Sequence, residues 1–255
     1  RRRLLNELTL IPGIGEKRAL QLRRRGAASL KDLKRTAYQD TAEEYAEIIE
    51  NDSVKNIISL FRECRRSSDP LLLGFAGGLT DKLRFFDIET LGMFHAPIIL
   101  LAVGEYIGDE LRVTQYLLRN IDEEITALCL ASKHFSKDSA IVSYNGKSFD
   151  VPYMNNRLSF YGEDAIKSKI HFDLLYPTRK LFRSYLPDCC LGTAEDKILG
   201  IKRDSDLPGY LVPEYYHRYL WSRNTDILVP IAEHNELDAA DLGLLLNCYL
   251  RYLYG

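Results

Sequence analysis

Leu83-Arg84-Phe85-Phe86-Asp87-Ile88-Glu89-Thr90 is an apolar run broken by two carboxylates two residues apart. The density of aromatic and aliphatic residues reads as a β-strand over residues 83–88, with the acidic pair at its end. Side chains at i and i+2 of a strand share one face, so Asp87 and Glu89 are expected side by side. Two carboxylates on one face of an apolar strand repel each other and are costly to desolvate. A hard divalent cation such as Mg²⁺, which takes oxygen ligands, removes both costs. A strand end that merely meets solvent has the same spelling, so the pair gains its weight from the rest of the chain.

Outward from this strand the apolar runs continue at residues 98–107 and 111–116, separated by the turn Gly108-Asp109. Three strands on short connections predict an antiparallel meander. A helix is expected over 122–134, a strand over 140–144 and a helix over 150–161. A short strand over 170–172, a helix over 174–185 and a long final helix over 231–252 follow. The order βββαβαβα predicts an α/β domain, a mixed β-sheet flanked by helices.

Two further stretches carry polar chemistry. Tyr144-Asn145-Gly146-Lys147-Ser148-Phe149-Asp150-Val151-Pro152-Tyr153-Met154 runs from a strand through a glycine turn into a helix. Asp150 there is either an N-cap or a metal ligand at the carboxyl end of a strand, where open α/β sheets place their sites. Asn145, Lys147 and Arg157 are candidates for phosphate contacts. Tyr153 is a candidate for base stacking, with core packing as its alternative. In Glu233-His234-Asn235-Glu236-Leu237-Asp238, His234 and Asp238 are four apart, on one face of the last helix. A carboxylate for metal and an imidazole to take a proton from water make a workable pair for hydrolysis.

Taken together, these stretches resemble known families. Phe86-Asp87-Ile88-Glu89-Thr90 and the 144–153 segment are similar to the first two exonuclease motifs of family B DNA polymerase proofreading domains. Residues 83–246 more closely resemble the YprB-type RNase H-like exonucleases. Shared features are His171-Phe172-Asp173-Leu174, Leu199-Gly200-Ile201, Leu207-Pro208-Gly209 and the terminal His234-Asn235-x-x-Asp238. The resemblance implies an RNase H-like fold of the DEDD class and 3′-to-5′ exonuclease action on single-stranded ends. It makes Asp87, Glu89, Asp150 and Asp238 ligands of two Mg²⁺ or Mn²⁺ ions and puts His234 in the general-base position. Proofreading domains place Tyr four residues before the last Asp, and DEDDh exonucleases place His five before it. His four before the last Asp, as here, is the YprB-type spacing.

Residues 4–35 read as two short helices around Ile11-Pro12-Gly13-Ile14-Gly15, which resembles a helix-hairpin-helix. In that motif a glycine turn at a helix N-terminus presents backbone amides to a phosphate. Gly13, Gly15, Lys17 and Arg18 are the candidate nucleic-acid contacts, and packing or protein contact is the alternative. Thr41 with Glu44 predicts a capping box and a helix over 42–50. Another helix is expected over 54–65, and the breakers after it mark a linker. The expected organisation is a small all-α helix-hairpin-helix module over 1–66, a linker over 67–80 and an RNase H-like domain over 81–255.

Charge follows the same division. Residues 1–66 carry 15 Lys+Arg against 10 Asp+Glu, and the remainder carries 19 against 26. A basic end on an acidic body fits a nucleic-acid arm on a metal-binding enzyme, though solvated faces give similar imbalances. The five cysteines are odd in number and include no C-x-x-C pair, which argues against a disulfide framework or a zinc site and for a reducing, cytoplasmic setting. No apolar run approaches the roughly 20 residues of a membrane span. The chain opens Arg1-Arg2-Arg3 with no Met, as a piece of a longer protein does. The expected partner is single-stranded nucleic acid, DNA ahead of RNA. The rivals are an endonuclease on the same fold and a non-catalytic binding module or partner subunit, which an incomplete acidic set would have favoured.

Overall fold

The computed structural model describes residues 1–64, 66–93, 95–203 and 206–255. It divides into two compact units, Arg1–Phe75 and Ala76–Gly255. The first contains helices α1 (Arg2–Leu5), α2 (Glu16–Arg24), α3 (Gln39–Asn51) and α4 (Val54–Glu63), with a 3-10 turn at Leu8–Leu10. Leu8, Leu33, Ile49, Ile57 and Phe61 fill its core. Gly13 takes φ +86°, which turns the chain sharply into α2. Gly15 needs no such freedom: it is the N-cap of α2 at φ −82°.

The expected capping box does not form. Thr41 lies inside α3, whose N-cap is Tyr38. α4 is capped where the sequence permits it, with Ser53 Oγ accepting from the Asn56 amide at 3.3 Å. Its expected end at residue 65 lies outside the described residues. Residues 70–82, mostly within the stretch read as a linker, are a run of 3-10 turns in which Leu72, Leu73 and Ala76 are buried.

The second unit is a five-stranded sheet: β1 (Leu83–Thr90), β2 (Ile98–Ile107), β3 (Glu110–Leu117), β4 (Ala140–Ser143) and β5 (Ile170–Asp173). Its order is β3-β2-β1-β4-β5. The first three strands form the antiparallel meander, and β4 and β5 extend it in parallel from β1. Helices α5 (Glu124–Ser132), α6 (Asp150–Phe160), α7 (Leu175–Phe182), α8 (Leu191–Ala194), α9 (Val212–Ser222) and α10 (Val229–Tyr254) flank it. The mixed sheet flanked by helices is the RNase H-like α/β architecture.

β2 is buried along its first seven residues, as a central strand covered on both faces must be. Alternation along β1 sorts its side chains. Phe86 and Ile88 join the core with Leu128 of α5, Met154 of α6 and Tyr216 of α9. Asp87 and Glu89 therefore point to the other face, toward α10.

Candidate active site

Asp87 meets α10 directly: Asn235 Nδ2 donates to Asp87 Oδ2 at 2.7 Å. Asn235 is fully buried, and its Oδ1 accepts from Gln115 Nε2 at 3.0 Å. Gln115, on β3, also donates to the Ala232 carbonyl at 2.8 Å. The long helix is thus pinned across the meander at the level of the β1 carboxylates.

Asp150 reaches the same point from the other side. β4 pairs with β1 only as far as Phe85 and Val142, so the Ile88 amide beyond lacks a strand partner on that edge. Asp150 Oδ1 accepts from it at 3.2 Å, which satisfies a buried donor and fixes the carboxylate. The connecting turn is tightly built. Asn145 takes φ +66°, and Asp173 accepts from the amides of Asn145 and Lys147 at 2.8 and 3.0 Å. A Cβ on Gly146 would fall 2.6 Å from Ser143 Cβ and 3.1 Å from Asp150 Oδ2, so only glycine fits there. Asp173 also caps the next segment through the Leu175 amide at 3.1 Å.

His234 and Asp238 complete the group. His234 Nε2 lies 3.7 Å from both Glu89 Oε1 and Asp238 Oδ2. Its Nδ1 lies 2.9 Å from Asp206 Oδ2. Arg203 binds Asp238 through Nη1, which also lies 3.2 Å from Asp206 Oδ2. Its Nη2 meets Glu195 and, at 2.8 Å, Asp241 Oδ2. Glu195 opens a π-turn (Glu195–Leu199) that continues α8 and ends at Gly200, φ +74°. A cavity of about 480 Å³ is lined by these groups, among them Glu195, Arg203, Asp206, His234 and Asp238.

The electrostatics are those of crowded buried acids. Burial, then the negative charges of Asp238 and Asp150, push the Asp87 and Glu89 carboxyls well above their ordinary range. Burial raises Asp150 from an ordinary 3.8 to about 7, against the lowering effect of its backbone hydrogen bonds. Burial raises Asp238 too, opposed by His234 and Arg203. Glu195 is pushed up to about 8 by burial, opposed by Arg203. Several convergent carboxylates whose charged form is disfavoured by burial and crowding are the donor set a hard divalent cation stabilises. Asp206, His234 and Asp238 also offer ligand atoms within 4.8 Å of one another. The residues fit a divalent metal centre.

Asp87, Glu89, Asp150, His234 and Asp238 are therefore brought together; other expected residues are not part of this group. Tyr153 is buried and its hydroxyl donates to the carbonyls of Gly92 and Ala96 at 2.9 and 2.8 Å. It pins the β1–β2 connection, and its ring packs with the core. Arg157 is spent on Glu124, with Nε to Oε1 at 2.7 Å, while Glu124 Oε1 also accepts from the Ile98 amide at 2.8 Å. A buried guanidinium so paired is structural, which corrects its reading as a phosphate contact. Asn145 is exposed and Lys147 half-exposed at the lip of the Asp150 turn. In the first unit, Lys17 and Arg18 are exposed on the opening turn of α2, whose N-cap is Gly15.

Asn235, Asp206, Arg203 and Glu195 belong to the site although the sequence assigns them no role. Asn235 carries one signal, its place in the His234-Asn235-x-x-Asp238 feature. Glu195 lies on a short π-turn after α8, and Arg203 and Asp206 lie in irregular chain, where no periodicity marks a face.

A family model described as the RNase_H superfamily matches residues 84–249. The Bacillus subtilis (strain 168) protein YprB is 34% identical over 167 residues, 64% of this chain and 40% of that protein. The PolC-type DNA polymerase III of Ureaplasma parvum serovar 3 is 25% identical over 152 residues, 49% of this chain and 10% of that protein. The chain thus spans well under two thirds of either relative.

Proposed function

Because the chain belongs to the RNase H superfamily, we propose that it is a metal-dependent 3′-to-5′ exonuclease of the DEDD type, acting on single-stranded nucleic-acid ends. The observation that carries this reading is the convergence of Asp87, Glu89, Asp150 and Asp238, from β1, α6 and α10, on one point beside His234. The relative named as a DNA polymerase favours DNA over RNA as substrate.

In this reading the four carboxylates hold two divalent cations, Mg²⁺ or Mn²⁺. Bound there, such ions supply acidity to a water molecule and countercharge to the leaving oxygen. His234 takes the proton from the attacking water. With Nδ1–H given to Asp206, the lone pair on Nε2 faces the carboxylates and is the accepting atom. Asp206 then offsets the positive charge that develops on the ring. Asn235 holds Asp87 in place by its amide. In the same reading Asn145 and Lys147, exposed and half-exposed on the turn before Asp150, meet the phosphate backbone.

The first unit supplies a second contact, a helix-hairpin-helix in which the Gly13–Gly15 turn and the first turn of α2 bind phosphate, with Lys17 and Arg18 adding charge. Such contacts read the backbone, not the base sequence. A cytoplasmic setting accords with five cysteines that are all free. Among the described residues, no helix is long and apolar enough to cross a membrane.

The test is degradation of end-labelled linear and circular single strands, DNA and RNA, with Mn²⁺ or Mg²⁺ and with chelator. Metal-dependent release of mononucleotides from 3′ ends of linear DNA is expected. Circles cut as fast as linear strands would make the enzyme an endonuclease.

A further inference from the structure

The guanidinium of Arg203 stands among four carboxylates and divides them between its two arms. Nη1 serves Asp238 and Asp206, and Nη2 serves Glu195 and Asp241. The side chain is 11% exposed. Among the described residues its Nε has no hydrogen-bond partner although it is buried. The group is therefore placed by the carboxylates at the Nη ends, at the cost of leaving one donor unmet. A planar fork can hold two separate pairs of acids in fixed directions, which a point charge cannot.

The Nη1 arm differs from the other in what its acids do next. Asp238 gives Oδ1 to Arg203, and its Oδ2 lies 3.7 Å from His234 Nε2, on the side of Glu89. Asp206, held at 3.2 Å by the same arm, lies 2.9 Å from His234 Nδ1 through the same Oδ2. One nitrogen thus fixes both the last carboxylate of the site and the carboxylate that orients the imidazole. The Nη2 arm ends on Glu195 and Asp241.

We propose that Arg203 is a positioning residue: its Nη1 arm aims Asp238 Oδ2 at the metal centre and, through Asp206, sets the His234 ring. This rests on the reading of Asp238 as a metal ligand. Outer residues that orient metal ligands set affinity as well as geometry, and their loss weakens binding about 10–100-fold. Net charge argues the opposite way, because removing a cation from beside the site would tighten metal binding. A substitution that keeps the charge and removes the fork therefore separates orientation from simple charge competition.

The measurement is Mn²⁺ affinity of the substrate-free protein, by titration calorimetry or by electron paramagnetic resonance of free Mn²⁺. Arg203→Lys keeps the charge and loses the fork, and is expected to weaken Mn²⁺ binding about 10–100-fold. Asp241→Asn loosens only the other arm and is expected to stay within about threefold of wild type. Unchanged or tighter binding in Arg203→Lys overturns the proposal. Equal weakening in Asp241→Asn also overturns it, since the network would then be merely structural. Wild-type protein that binds no Mn²⁺ defeats the metal reading itself, and the proposal with it, a result distinct from either of those. Should Arg203→Lys fail to fold, Asp206→Asn carries the test. Its kcat is expected about tenfold lower at unchanged KM, and wild-type kcat overturns the proposal.

Discussion

Asn235 Nδ2 donates to Asp87 Oδ2 at 2.7 Å across 148 residues of chain, and this bond joins α10 to β1 where the carboxylates gather. Asn235 is fully buried and spends its other end on Gln115. Replacing it with Leu leaves both partners unmet in the interior. A loss of about 1–3 kcal/mol in unfolding free energy is expected, read from urea denaturation. Wild-type stability in Asn235→Leu would mean that water replaces both bonds.

The four acids should cost stability where they serve chemistry. Asp87→Asn, Glu89→Gln, Asp150→Asn and Asp238→Asn each replace a carboxyl whose charged form burial, ahead of its charged neighbours, disfavours. In chelator the Asp87, Glu89 and Asp150 variants are expected to melt at or above the wild-type temperature. Each of the four should lose hydrolysis by a large, non-additive factor. Near-normal turnover in any one of them removes that residue from the site.

The pH dependence follows from the same crowding. A carboxyl whose folded pKa is raised keeps its proton in the native state where the unfolded chain has lost it. Its stabilising contribution is full below the unfolded value near 4 and is lost as pH rises through the folded value, about 7 for Asp150. Each such group adds a slope of about 1.4 kcal/mol per pH unit across that window. The chelated protein is therefore expected to lose melting temperature between about pH 4 and about pH 7. Mn²⁺ should restore more at the upper end of that range than at the lower. A flat profile in chelator would show that the carboxylates already have their countercharge.

How far the sequence reveals this arrangement depends on the range of each interaction. β1, β2, β4 and α10 follow from local periodicity, and Asp87 with Glu89 or His234 with Asp238 need only the strand or helix repeat to share a face. Arg157 misleads because its partner Glu124 lies 33 residues away on another helix. Asp206 and Arg203 act on His234 and Asp238 from an irregular loop, over 28 and 35 residues. α9 escapes the sequence reading too: Val-Pro-Glu-Tyr-Tyr-His-Arg-Tyr-Leu-Trp-Ser is rich in aromatic residues of modest helix propensity. It forms because Tyr216 and Tyr219 are buried, with their hydroxyls on the carbonyls of Leu118 and Arg119.

Lys17 and Arg18 test the first unit without removing it. Both are exposed on the first turn of α2. Lys17→Glu with Arg18→Glu should weaken single-strand binding and flatten its salt dependence, by about 0.7 in the slope of log K on log salt for each phosphate that is no longer neutralised. The turnover of bound substrate should change little, because the carboxylates belong to the other unit. Unchanged affinity and slope would assign this face to protein contact.

His234 is the position that separates metal from side-chain chemistry. Its ring is held by Asp206 at Nδ1, and its Nε2 stands 3.7 Å from two of the acids, the place from which a proton on an attacking water is within reach after a small approach. General-base catalysis by a positioned side chain is worth roughly 10²–10⁴-fold. His234→Ala should lower kcat by that order, with KM little changed, as for an interaction made only in the transition state. Mn²⁺ affinity should survive, because Asp87, Glu89, Asp150 and Asp238 all remain. His234→Gln keeps a polar group of similar reach but no basic nitrogen, so it should be as slow as His234→Ala. If His234→Gln instead turns over at the wild-type rate, the ring has only been filling space between Asp206 and Glu89. The water would then be activated without it.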